Sequence, residues 1–106
     1  MNISVGAKNF KLTPALTRYA EEKLKKLTHF WSDIMRANIE LSVTKVKSAG
    51  EVCHVRVLLE VPGPDIEAEE DAADMYAAID LVLPKLERQI SRVRGKAKAM
   101  RRRLTR

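Results

Sequence analysis

Ile3 and Val5 alternate with Asn2 and Ser4 at the start of the chain, the period of a short half-buried strand, and residues 6–11 then read as a connection. The period changes after Thr13-Pro14. A Thr hydroxyl can accept from free helix N–H groups and proline is tolerated at the first helical position, so the pair predicts a helix start. Leu16, Tyr19, Ala20, Leu24, Leu27, Phe30 and Trp31 follow at steps of three and four, which puts them on one face to about Phe30 and predicts that this face contacts the core.

Alternation returns with Ile39, Leu41 and Val43 set against Asn38, Glu40, Ser42 and Thr44. Lys47-Ser48-Ala49-Gly50 supplies a turn. Cys53, Val55, Val57, Leu59 and Val61 then alternate with His54, Arg56 and Glu60, so residues 36–61 read as a hairpin with one wet face. Pro62-Gly63-Pro64-Asp65 ends it. Ile66 and Ala68 alternate with Glu67 and Glu69 in a short last strand, after which Asp74 is placed to cap a helix from Met75.

That last helix carries the most regular pattern in the chain: Ile79, Val82, Leu83, Leu86, Ile90, Val93, Ala97, Met100 and Leu104 keep one apolar face. Pro84 removes a ladder hydrogen bond and crowds the carbonyl of Asp80, and Gly95 costs about 1 kcal/mol relative to Ala, which predicts a kink near 80–84 and fraying beyond Gly95. The order is β-α-β-β-β-α. This is an α+β fold, with a four-stranded sheet and two helices packed on one face. Residues 1–98 are expected to form the domain and 99–106 a basic C-terminal tail.

The 106-residue length fits one small domain and excludes a large multidomain enzyme. No uninterrupted aliphatic stretch is longer than the three residues of Val57-Leu58-Leu59, too short to span a bilayer, and the N-terminus lacks the succession of a signal peptide. With the single Cys53, no internal disulfide can form, and the expected compartment is the cytoplasm.

The net charge of +6 is unevenly spread. Residues 85–106 hold ten basic side chains and one acid, Glu87, whereas the first 84 residues hold ten basic and thirteen acidic ones. This polarity points to a polyanion, and to nucleic acid ahead of an anionic membrane because the basic segment lacks Trp and Phe. At helical spacing Lys85, Arg88, Arg92 and Lys96 fall within a stripe about 80° wide beside the apolar face, a ridge suited to following a phosphate backbone. Lys23 and Lys26 border the apolar face of the first helix, so each of the two helices carries a basic rim, and the sequence leaves open whether the rims converge on one groove. Charged stripes are often only solvated faces, the reading that suits Lys25 and Lys98; the near absence of acids favours binding for the stripe.

Other chemistry is poorly supported. No aromatic-rich strand face of the RRM kind is present. Glu67, Glu69, Glu70, Asp71 and Asp74 lack the glycine and ligand spacing of a calcium loop and are read as acids favouring a helix N-terminus. His29, Cys53 and His54 make no metal pattern, no nucleophile-base arrangement or phosphate-cradling loop is legible, and no cofactor is expected. An enzyme is not the expected reading. A general double-stranded RNA binder, or a module docking an acidic protein through residues 85–106, are the alternatives to a dedicated RNA-binding regulator.

At Asp74-Met75-Tyr76-Ala77-Ala78-Ile79-Asp80 and Lys85-Leu86-Glu87-Arg88-Gln89 the chain resembles the ribosome hibernation promoting factors, a family that includes the cold-shock ribosome-associated inhibitor. The resemblance extends through Leu12-Thr13-Pro14-Ala15-Leu16 and Lys23-Leu24-Lys25-Lys26-Leu27 to cover residues 1–98. It implies the same β-α-β-β-β-α fold. It further implies a stationary-phase or stress factor that binds the small ribosomal subunit near its decoding centre, occupies messenger and transfer RNA space, and silences translation without chemistry. The positions matching the family's RNA-facing basic residues are Lys23, Lys26, Lys85, Arg88, Arg92 and Lys96. Pro84 stands where the family usually has a good helix former. The chain looks like the short form, which implies a separate small modulation factor as partner in pairing ribosomes into inactive dimers.

Overall fold

A computed structural model describes residues 2–48 and 50–104, with side chains as far as Gly95. The side chains of residues 96–106, which include Lys96 and the expected basic tail, lie outside this set. The chain runs through β1 (Asn2–Lys8), α1 (Pro14–Lys25), α2 (Leu27–Phe30), β2 (Arg36–Val46), β3 (Gly50–Glu60), β4 (Ile66–Ala72) and α3 (Met75–Leu104). The strands form one sheet in the order β1-β2-β3-β4, with β1 parallel to β2 and the other pairs antiparallel. A helical crossover is what a parallel β1–β2 pair demands, and α1 supplies it. The two long helices and the α+β class are as the pattern predicts, with α2 as an added single turn.

Register decides which side chains make the core. Ile39 pairs with Val57 and Leu41 with Val55, while Val57 pairs in turn with Ala68 and Leu59 with Ile66, so one face of the sheet is apolar from β2 to β4. Leu16, Ala20, Leu24 and Leu27 from the first helical segment and Ala78, Ile79, Val82, Leu86 and Ile90 from α3 cover that face. The predicted caps form: Thr13 Oγ1 accepts from the Leu16 amide at 3.2 Å, and Asp74 Oδ1 accepts from the Tyr76 amide at 3.0 Å. In the β2–β3 turn Gly50 has φ of 71°, a left-handed value that a side chain would oppose.

Several boundaries differ from the sequence reading. β1 continues to Lys8 because Gly6, Ala7 and Lys8 find partners in Glu40, Leu41 and Ser42, and pairing overrides the weak propensity of glycine. β4 extends beyond the expected 66–69 to Ala72, so Asp71 joins Glu67 and Glu69 in the strand and none of the three leads the helix; Asp74 alone makes the cap bond. Alternation along β4 turns those carboxylates to the sheet's open face. Helix α3 runs through Pro84 and past Gly95 to Leu104. The penalty at Gly95 is about 1 kcal/mol, and the following Lys, Ala, Met and Arg residues are all good helix formers.

The largest difference concerns the first helix. It is interrupted at Lys26, and Leu27 restarts a single turn whose phase keeps Leu27 and Trp31 inward and turns Phe30 out. Phe30 is 42% exposed, where the spacing predicts a core contact. Trp31 is buried, and its Nε1 donates to Asp33 Oδ2 at 3.1 Å.

Candidate nucleic-acid interface

Helix α3 lies across the sheet with β4 on one flank and α1 and α2 on the other, and each flank ties down cations differently. On the β4 flank the Lys85 ammonium donates to Glu70 Oε2 at 2.8 Å and to the Glu69 carbonyl at 3.0 Å. The Lys85 hydrogen bond holds the Glu70 carboxyl below the ordinary carboxylate range, against a smaller opposing effect of desolvation. Gln89, one turn on, donates to the Glu67 carbonyl at 2.9 Å. Lys85 is thus a fastener between helix and strand as well as a surface charge.

On the other flank Asp80 is the hub. Its carboxylate accepts from the Tyr19 phenol at 2.6 Å and faces the Lys23 ammonium at 3.9 Å, while that ammonium also sits 5.2 Å from the Tyr19 ring centroid. Tyr76 packs edge-on against Tyr19 at 4.9 Å. The phenol of Tyr19 is pushed up to about 12, first by its hydrogen bond to Asp80, then by burial and by the Asp80 charge. Since the protonated phenol is the bonded form, its contribution to stability is complete below pH 10.0 and lost as pH rises through about 12. Replacing Asp80 by Ala is expected to bring Tyr19 ionisation down toward 10.0 and to reduce that alkaline loss; ultraviolet titration of the phenolate, paired with denaturant melts across the same range, checks both.

Between these two flanks α3 exposes its outer surface. Arg88 and Arg92 are exposed there, and no carboxylate lies within salt-bridge distance of either among the described residues. The Arg88 Nε makes only a long 3.4 Å contact with the Pro84 carbonyl of its own helix. With Phe30, Pro84, Glu87 and Ser91 they line a shallow depression between α2 and α3. Arg94 fixes the edge of that depression, its Nη1 donating to the Phe30 carbonyl at 2.6 Å. Lys26 is exposed at the α1–α2 junction, one turn before Phe30.

The six basic positions singled out by the sequence are therefore not all brought together. Arg88 and Arg92 share the outer depression with Lys26 nearby; Lys23 and Lys85 are paired on opposite flanks of α3, because α3 packs between α1 and β4; the side chain of Lys96 is outside the described residues. Phe30, Asp80 and Arg94 are the participants the pattern missed. For Phe30 a signal exists, since adjacent Phe30 and Trp31 stand about 100° apart on a helix and cannot both sit at the centre of the core-facing stripe. The Tyr19–Asp80 contact joins residues far apart in sequence and leaves no local trace.

The opposite face of the sheet is a poor surface for a polyanion. Arg56 bonds Glu67 and lies 3.5 Å from Glu69, and His54 Nδ1 meets Asp71 Oδ1 at 2.5 Å with Glu69 beyond. Glu40, which pairs with Arg56 across β2 and β3, adds another acid. Cys53 is half-buried with its Sγ 3.8 Å from the Ala73 carbonyl, and burial pushes its thiol up, away from the thiolate that reacts. Among the described residues no cluster of His, Cys, Asp and Glu could hold a metal ion, and no helix is long and apolar enough to cross a membrane.

Comparison with known proteins adds to this geometry. The profile of a family described as sigma 54 modulation protein / S30EA ribosomal protein matches residues 3–98. A ribosome hibernation promotion factor of Deinococcus radiodurans is 41% identical over 86 residues, 81% of this chain and 45% of that protein, so the chain spans a little under half of it. A ribosome hibernation promoting factor of Klebsiella oxytoca is 34% identical over 98 residues, covering 92% of this chain and 98% of that one. Among solved structures, a ribosomal subunit interface protein from Coxiella burnetii superposes with a TM-score of 0.80 at 27% identity, over 90% of this chain and 99% of the other. The N-terminal domain of Thermus thermophilus Protein Y gives 0.74 at 31% identity, over 88% and 99%.

Proposed function

The chain belongs to the sigma 54 modulation protein / S30EA ribosomal protein family, and from that premise we propose that it is a ribosome hibernation factor. It binds the small ribosomal subunit near the decoding centre through the basic faces of its helices. There it blocks messenger and transfer RNA and inhibits translation in the cytoplasm during stationary phase or stress. The names of its relatives support the role, and the observation that carries the mode of binding is the exposed Arg88–Arg92 surface of α3, set against a sheet face whose cations are consumed by acids. Guanidinium groups already paired with carboxylates have no surplus charge for phosphate, whereas unpaired ones do. Lys26 extends this surface toward α1; Lys23 and Lys85 join it by exchanging a carboxylate, exposed at Asp80 and half-buried at Glu70, for a phosphate, and the sequence adds Lys96 as the sixth cation.

No bond is made or broken in this mechanism. Inhibition follows from occupancy, and α3 serves as a rod whose angle is set by the core beneath it. The test is sedimentation of the protein with separated small and large ribosomal subunits over a range of salt. Association with the small subunit alone is expected, with log affinity falling against log salt at a slope of roughly −4 to −5 when all six cations meet phosphate, and about one unit shallower for each that does not. Equal competition by an arbitrary RNA duplex would instead identify a general double-stranded RNA binder, and a flat salt response would remove the phosphate mechanism.

A further inference from the structure

We propose that the depression between α2 and α3 is a seat for one unpaired nucleotide, its base stacked on Phe30 and its phosphate held by Arg88 and Arg92. The proposal rests on the RNA-binding reading and adds to it the kind of RNA element that this surface takes. The first observation is the ring itself. The chain has only five aromatic residues, and of the two that stand well exposed, Tyr76 packs edge-on against Tyr19. Phe30, 42% exposed, lines the depression, and its ring is packed against no other aromatic ring among the described residues.

Placement and charge give the second observation. Phe30 ends a helix of four residues, and its carbonyl is anchored to α3 by Arg94, so the ring is presented by backbone fixed at a short distance from α3. Two guanidinium groups then stand beside an apolar ring and Pro84 in the same depression. A duplex backbone would use the guanidiniums and leave the ring in water, since paired bases offer no free face. An extruded or single-stranded nucleotide uses both, its π-face against the ring and its phosphate on the cations. Glu87 lies 100° around the helix from Arg88, on the α2 side, and repels a phosphate there. The strand is thereby given a direction: base toward α2, phosphate toward the outer surface of α3. An apolar protein segment would gain nothing from the two arginines.

The experiment compares the full chain with Phe30→Ala and Phe30→Trp, using three probes: a short oligoriboadenylate, an abasic ribose-phosphate chain of equal length, and isolated small ribosomal subunits. Emission from the buried Trp31 reports folding of the alanine variant. Phe30→Ala is expected to lose about 5- to 100-fold in affinity for oligoriboadenylate and to bind the abasic chain as the parent does. Phe30→Trp should keep the affinity, with its added indole emission quenched by oligoriboadenylate and not by the abasic chain. Equal binding of oligoriboadenylate by parent and Phe30→Ala overturns the base seat while leaving small-subunit binding, and so the proposed function, intact. Loss of small-subunit binding on arginine reversal tests that function separately.

Discussion

Reversing Arg88 and Arg92 together to Glu is expected to weaken association with small ribosomal subunits by about a thousandfold and to leave stability within about 0.5 kcal/mol of the parent. The binding figure follows from two charge-assisted hydrogen bonds to phosphate, each contributing about 2 kcal/mol, at about 1.4 kcal/mol for each factor of ten. The stability figure follows from exposure and from what the two side chains touch, since Arg88 makes one long bond to its own helix and neither has an ionic partner among the described residues. Lys85→Glu is the informative contrast. It removes the bonds to Glu70 and the Glu69 carbonyl and sets a new carboxylate against Glu70, so its first effect falls on the docking of β4 against α3. Cosedimentation and denaturant melts of the two variants should separate accordingly. Undiminished cosedimentation of the double variant would move the interface elsewhere on the molecule.

That contrast shows where sequence is sufficient and where it is not. The four strands, the two long helices, both caps and the inward set from Ile39 to Ile90 follow from periods of two and of three to four, because burial on one face is a local pattern that tertiary contacts only ratify. The charge stripe on α3 was legible for the same reason. Availability of each charge was not, since it depends on partners set by topology: Glu70 reaches Lys85 only because β4 lies against α3, and Asp80 reaches Tyr19 and Lys23 only because α1 crosses the same helix. The last strand is legible only as far as Glu69, because Glu70 and Asp71 follow with no further apolar partner in the alternation, and ladder pairing with β3 carries it on to Ala72. Phe30 was misplaced by a helix break after Lys25 that no proline or glycine announces.

Leu86→Ala is expected to destabilise the fold by about 2–5 kcal/mol, lowering the melting temperature by roughly 10–30 °C for a domain of this size. Val82, Leu86 and Ile90 recur at four-residue steps on α3 and are exposed by 0%, 0% and 1%, so truncating the middle one opens a cavity between helix and sheet that its neighbours, fixed by the same helix, close only in part. Leu81→Ala, on the same helix but 50% exposed, should change stability by no more than about 0.5 kcal/mol and serves as the control for helix propensity. The pair also tests how the basic surface works. If the core under α3 is what holds Arg88 and Arg92 at a fixed angle, Leu86→Ala should bind small subunits nearly as the parent does while folded and lose binding in step with unfolding on warming. Binding that outlasts the loss of tertiary structure would mean that the charges act as a flexible polycation, and that the angle set by packing is immaterial.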